Sequence, residues 1–80
     1  MRLPRDLSGD ELAACLGRLG YQASRQTGSH VRLTTVLNGE HHVTIPRHEA
    51  LRVGTLASLL AELERHHHLD RQRLLALLFT

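Results

Sequence analysis

The chain of 80 residues predicts an α+β fold of two layers, a three-stranded antiparallel sheet with helices over one face. Three observations predict it. A capped amphipathic helix opens the chain, strict alternation of apolar and polar residues surrounds an Asn-Gly turn, and two leucine-striped segments close it. The predicted order is α-β-β-β-α with a short extra C-terminal helix.

Ser8-Gly9-Asp10-Glu11 has the spacing of a capping box, with Ser8 at the N-cap and Glu11 three residues on. Leu12, Leu16 and Leu19 follow at helical intervals, with Ala13 and Cys15 beside them. Gly20 supplies a left-handed residue past the end, so the first helix is expected over 8–19. Tyr21 to Gln26 reads as a weak strand ending at Thr27-Gly28. A second strand over 29–37 alternates Val31 and Leu33 with His30, Arg32 and Thr34. Asn38-Gly39 is a hairpin turn, and His41 to Ile45 forms a third strand closed by Pro46.

Parity selects the hairpin register. A two-residue loop would pair Leu33 with Thr44 and Arg32 with Ile45, mixing polar and apolar on each face. A three-residue loop with Gly39 in a bulge pairs Val36 with Glu40, Leu33 with Val43 and Val31 with Ile45. This register is expected, because a slip of one residue would expose the apolar set. The opposite, open face then carries His30, Arg32, Thr34, His42 and Thr44.

After a loop over 46–54, Thr55 is the expected N-cap of a helix showing Leu56, Leu59, Leu60 and Leu63 and ending near His66 to His68. Asp70 caps a last helix over 71–78, with Leu69 and Leu74 placed as a hydrophobic staple. No linker, repeat or low-complexity segment divides the chain. Residues 1–80 are expected to form a single domain, with a core over roughly 3–66 and a helical extension over 69–80.

Composition narrows the functional classes. The single cysteine, Cys15, excludes an internal disulfide and fits a reducing cytoplasm as a small hydrophobe. No signal peptide is visible at the N-terminus, and the longest apolar run, Leu74 to Phe79, is far too short to span a bilayer, so a soluble cytoplasmic protein with no membrane partner is expected. All ten basic residues are arginine, seven histidines accompany them, the net charge is +2 and the pI is near 9.5. That balance favours an anionic partner, and arginine brings a planar fork of donors suited to phosphate. Tyr21 and Phe79 alone are aromatic, too few platforms for a single-strand binder built on base stacking.

Several segments together resemble one known family. Leu3-Pro4, Ser8-Gly9, Leu19-Gly20-Tyr21, Arg25-Gln26-x-Gly28-Ser29-His30, Asn38-Gly39, Val43 to His48 and Gly54-Thr55-Leu56 stand in the order and spacing of HicA-like (YcfA-like) toxins, over roughly residues 3–62. The resemblance implies a double-stranded-RNA-binding-domain-like fold, an mRNA interferase of a type II toxin–antitoxin system, and neutralisation by a HicB-like antitoxin in a toxin–antitoxin hetero-oligomer, with a homodimer as the other assembly. It puts the catalytic histidine at His30, in Gly28-Ser29-His30. This chain departs from the common pattern in the loop His48 to Arg52, which lacks the usual Lys and Gly, and in a longer tail with three histidines and an extra helix.

The chemistry such residues could do needs no metal or other cofactor, because RNA carries its own nucleophile. A base that takes the 2′-OH proton lets that oxygen attack the adjacent phosphate, leaving a 2′,3′-cyclic phosphate and a 5′-OH. Imidazoles suit this because histidine titrates near neutral pH. His30 is the expected catalytic residue and His48 a secondary candidate. Arg25, Ser29, Arg32, Arg47 and His48 are the expected RNA-binding residues. His42 shares the open face, where cross-strand polar pairing accounts for it. His66-His67-His68 is not expected to bind metal, since successive helical residues point about 100° apart. The alternatives are a non-catalytic RNA-binding module and an antitoxin-binding partner of the same fold.

Overall fold

A computed structural model describes residues 6–79; Leu3-Pro4 lies outside them. The elements run α1 (Gly9–Leu16), a 3₁₀ turn (Gly17–Leu19), β1 (Gln22–Thr27), β2 (His30–Thr35), β3 (His41–Pro46), α2 (Val53–His67) and α3 (Arg71–Phe79). The sheet order is β1-β2-β3 with both pairings antiparallel. The α+β layout is the one the sequence predicts.

The capping box of α1 is reciprocal. Glu11 N–H donates to Ser8 Oγ at 3.0 Å, and Ser8 N–H donates to a Glu11 carboxylate oxygen at 2.9 Å. The predicted helix tightens to 3₁₀ in its last turn, which keeps Leu19 in the core. Gly20 then turns the chain at φ 79°. The buried Thr35 hydroxyl ties this corner to the sheet: it donates to Leu19 O at 2.8 Å and accepts Leu37 N–H at 3.1 Å.

The β2–β3 register is the predicted one, with Val31 opposite Ile45 and Leu33 opposite Val43. All four are buried, while His30, Arg32, His42 and Thr44 are exposed. The last pair is Thr35 with His41, and Asn38 (φ 59°) and Gly39 (φ 99°) carry the turn.

The helix after the loop differs from expectation. Its N-cap is Arg52, without a side-chain cap bond, and Thr55 lies inside the first turn. Val53 and Gly54 are exposed, so water can satisfy the first-turn N–H groups that a capping hydroxyl would otherwise take. At its far end His68 adopts the left-handed conformation. Asp70 caps α3 as expected, accepting Arg73 N–H at 2.8 Å.

One apolar cluster unites the layers among the described residues. Leu12 and Leu16 from α1, Leu60 and Leu63 from α2, and Leu74 and Leu78 from α3 share it with Ile45 of β3, all nearly inaccessible. Cys15 packs against this cluster as a small hydrophobe. The C-terminal helix α3 therefore completes the core, though Leu77 stays exposed. No helix of the described residues is long and apolar enough to cross a membrane.

Beside the apolar core runs a polar chain that sequence reasoning did not assemble. Tyr21 Oη lies 2.6 Å from His41 Nδ1 and 2.9 Å from His67 Nε2. Asn38 Nδ2, a donor only, faces His67 Nδ1 at 3.3 Å. The protons are thereby assigned: His67 Nε2–H donates to Tyr21, Tyr21 O–H donates to His41 Nδ1, and His41 Nε2–H faces Glu62 at 3.5 Å. His66 stacks on His41 with centroids 4.3 Å apart and reaches the Leu37 and Gly39 carbonyls. The cluster straps the β2–β3 turn to the end of α2. Burial, then the Glu62 charge, pushes the Tyr21 phenol up to about 12. Burial, then the neighbouring His66 charge, holds His41 and His67 below the ordinary histidine value.

Two predictions follow from this packing. A histidine with a lowered folded pKa binds protons less readily folded than unfolded, so its contribution is present above about pH 6.5 and is lost as pH falls from there through the lower folded value. Thermal melts should give a Tm that is level from pH 8 to 7 and declines on further acidification. His67→Gln should show a shallower acid decline; an unchanged decline would exclude His67 as its source. Separately, a Cβ at Gly9 would run into the Pro46 carbonyl oxygen, where α1 meets the end of β3. Gly9→Ala should cost about 2 kcal/mol through forced backbone displacement, a fall in Tm of roughly 8–16 °C by calorimetry.

Candidate functional site

The open face of the sheet is shaped by one extra residue. Across β1 and β2, Gln22 pairs with Thr34 and Ala23 with Leu33, but Arg25 pairs with Arg32, Gln26 with Val31 and Thr27 with His30. Ser24 is the unpaired residue of a β-bulge. Paired residues share a face, so strict alternation from Ala23 would send Arg25 to the face of Leu33. The bulge resets the parity and delivers Arg25 and Thr27 to the open face. Two demands require it. The tight Thr27–His30 turn sets Arg25 against Arg32, while buried Tyr21 must join the core side with Ala23.

The result is a pocket of about 190 Å³ lined by Arg25, Thr27, His30, Arg32 and Thr44, one or more side chains from each strand. Arg25 and Arg32 stand directly opposite one another. Opposed antiparallel residues have Cβ atoms roughly 4.5–5.5 Å apart, a distance at which like charges destabilise a sheet. Neither guanidinium forms an ion pair within the described residues. The fold thus holds two uncompensated cations together beside an imidazole.

That imidazole is exposed at the start of β2, and its Nδ1 lies 3.0 Å from Ser29 Oγ. When Nδ1–H donates to the serine oxygen, the Nε2 lone pair is left to act as a base. Ser29 Oγ is thus placed to orient the ring. Its carbonyl also accepts Arg47 N–H at 2.8 Å, which draws the loop after β3 alongside Gly28-Ser29-His30.

The remaining expected residues, Arg47 and His48, are on that loop and not in the pocket. The Arg47 guanidinium forms a two-pronged pair with Asp10 at the start of α1, at 3.0 and 3.3 Å. The His48 side chain is exposed, and its carbonyl accepts Gly9 N–H at 2.9 Å. Thr27 and Thr44 are pocket residues that sequence reasoning did not single out as a site. The conflict between a buried Tyr21 and an outward Arg25, both odd-numbered, was the available signal for the bulge. Among the described residues no group of three or more His, Cys, Asp or Glu side chains could hold a metal.

The family model described as the HicA toxin of bacterial toxin–antitoxin systems matches residues 9–64. The chain belongs to the HicA toxin family. The match contains the whole sheet and the pocket, and it ends within α2, before α3. Membership implies a toxin with an antitoxin partner. Searches of curated proteins and of solved structures gave no match.

A site built on repelling cations should be held at a cost to stability. Replacing Arg25 or Arg32 by Gln should raise the Tm by a few degrees at low salt, from relief of about 0.5 kcal/mol of like-charge repulsion. The gain should shrink in 0.5 M salt, where the repulsion is screened. A Tm lowered equally at both salt concentrations would show that the guanidiniums stabilise the sheet instead.

Proposed function

We propose that this HicA-family chain is an endoribonuclease that cleaves mRNA without a metal, with His30 as the catalytic base. The single observation that carries the reading is the opposition of Arg25 and Arg32, unpaired, beside an imidazole whose Nδ1 is held by Ser29. Two free guanidiniums at cross-strand distance suit the non-bridging oxygens of a phosphodiester.

In this reading each group has one task. His30 Nε2 takes the proton of a ribose 2′-OH, and that oxygen attacks the adjacent phosphorus. Arg25 and Arg32 stabilise the charge that develops on the phosphoryl oxygens. The P–O5′ bond breaks and the departing oxygen takes up a proton, from His48 or from water. The products are a 2′,3′-cyclic phosphate and a 5′-OH. Ser29 fixes the imidazole ring. Arg47, paired with Asp10, acts in this reading by ordering the loop that carries His48, and contacts RNA only by surrendering that pair. The antitoxin is of the HicB type, the assembly is a toxin–antitoxin hetero-oligomer, and the protein works in the cytoplasm as one domain over residues 1–80.

Acid–base catalysis by a positioned side chain contributes typically 10²–10⁴-fold. Loss of His30 should therefore abolish toxicity at ordinary expression. Induced expression of the wild type should arrest growth and create new RNA ends bearing 5′-OH and cyclic phosphate. His30→Ala, with an equal Tm, should do neither. Equal arrest by both proteins, or by neither, overturns the assignment.

A further inference from the structure

The open face carries a second polar row, beyond the arginine pocket and of opposite character. Ser24 Oγ lies 2.8 Å from Thr34 Oγ1, Thr34 Oγ1 lies 2.7 Å from His42 Nδ1, and His42 Nε2 lies 2.8 Å from a Glu40 carboxylate oxygen. The row crosses all three strands and includes no arginine. Its hydrogen-bond direction is constrained from the Glu40 end, because a carboxylate only accepts. His42 Nε2–H donates to Glu40. In the neutral imidazole, Nδ1 accepts the Thr34 proton and Thr34 accepts that of Ser24. In the imidazolium the hydroxyl protons reverse, and Ser24 O–H turns to the Arg32 carbonyl at 3.3 Å. Either way an exposed Ser24 Oγ keeps an unused lone pair at one end, and the exposed Glu40 carboxylate offers acceptors at the other.

The face is therefore divided. Around His30 it presents cationic donors, and around Thr34 it presents acceptors. Thr34 lies on the same face of β2 as His30, roughly 13 Å further along the strand, with Arg32 between them. The Ser24 bulge creates both halves, since it turns Arg25 outward and still leaves Ser24 facing Thr34. Beside the hydroxyl end a groove runs between Gly20, Gln22, Ala23 and Val36. A phosphate next to Glu40 would be repelled, so the backbone of DNA has nothing to offer this row. RNA differs from DNA by one donor per nucleotide, the 2′-hydroxyl.

We propose that Ser24, Thr34, His42 and Glu40 form a ribose-recognition subsite that accepts the 2′-hydroxyl of a nucleotide neighbouring the phosphate held at Arg25 and Arg32. The inference rests on the reading of the open face as an RNA surface. It adds a contact to the sugar, separate from the 2′-hydroxyl consumed in cleavage, by which the protein prefers RNA even where no bond is broken.

The test is binding by fluorescence anisotropy, with His30→Ala as the background. The probes are one oligonucleotide sequence made as RNA, as 2′-fluoro RNA and as DNA. The fluorine removes the donor and keeps an RNA-like sugar pucker. RNA should bind about three- to tenfold more tightly than its 2′-fluoro form, the worth of one neutral hydrogen bond. Adding Thr34→Val, which keeps the side-chain shape, should erase that preference and leave the salt dependence unchanged. Adding Arg25→Ala should keep the preference and flatten the salt dependence, because counterion release follows phosphate contacts. Ser24→Ala, at an exposed position, gives the same reading should Thr34→Val fail to fold. Equal affinity for RNA and 2′-fluoro RNA, or a preference that survives both hydroxyl variants, overturns the subsite. Cleavage that persists in His30→Ala overturns the catalytic assignment alone, and failure to bind any of the three probes overturns both.

Discussion

The insertion of Ser24 into β1 is the constraint on which the open face of the sheet depends. A strand alternates its side chains with a period of two, so one strand cannot serve a buried Tyr21 and an outward Arg25 without losing step. The bulge spends one residue to change step. On one side of it the chain serves the core through Tyr21, with Ala23 paired to buried Leu33. On the other it serves the open face, through Arg25 opposite Arg32 and Thr27 opposite His30. Shifting this register by one residue would bury a guanidinium or expose the tyrosine that bridges His41 and His67.

Apolar and polar residues are divided between the two faces of the sheet. The inner faces of β2 and β3 meet leucines from all three helices, and burial of that apolar surface is what holds the fold. The outer face contributes little of this kind. It holds like charges opposite one another and leaves an imidazole exposed, arrangements that a sheet selected for stability alone would avoid. β1, exposed along its whole length, can carry such residues because nothing packs above them.

The charged residues divide in the same way. Arg47 and Asp10 satisfy each other and pin the loop after β3 to the start of α1. Gly9 N–H and the His48 carbonyl reinforce that junction, where absence of a side chain at Gly9 lets the backbones approach. Arg25 and Arg32 have no such partner among the described residues. Three arginines that look equivalent in sequence thus fall into a structural one and two that are free to meet an anion.

Much of the architecture was legible from local physics. The capping box of Ser8 and Glu11, the leucine stripes, the Asp70 cap and the alternation of β2 and β3 each depend on residues a few positions apart, and each took its expected form. The start of α2 did not, because exposed first-turn amides can be served by water and need no hydroxyl at Thr55. The sequence by itself determined the element order, the β2–β3 register and the presence of His30 and Arg32 on one face, since period and turn chemistry are properties of neighbours. Tertiary structure alone decided the bulge that brought Arg25 to that face, the pairing of Arg47 with Asp10, and the strap joining Tyr21, His41 and His67. Those depend on contacts between residues distant along the chain, where the requirement to satisfy buried polar groups and fill one core chooses among local alternatives that the sequence leaves equal.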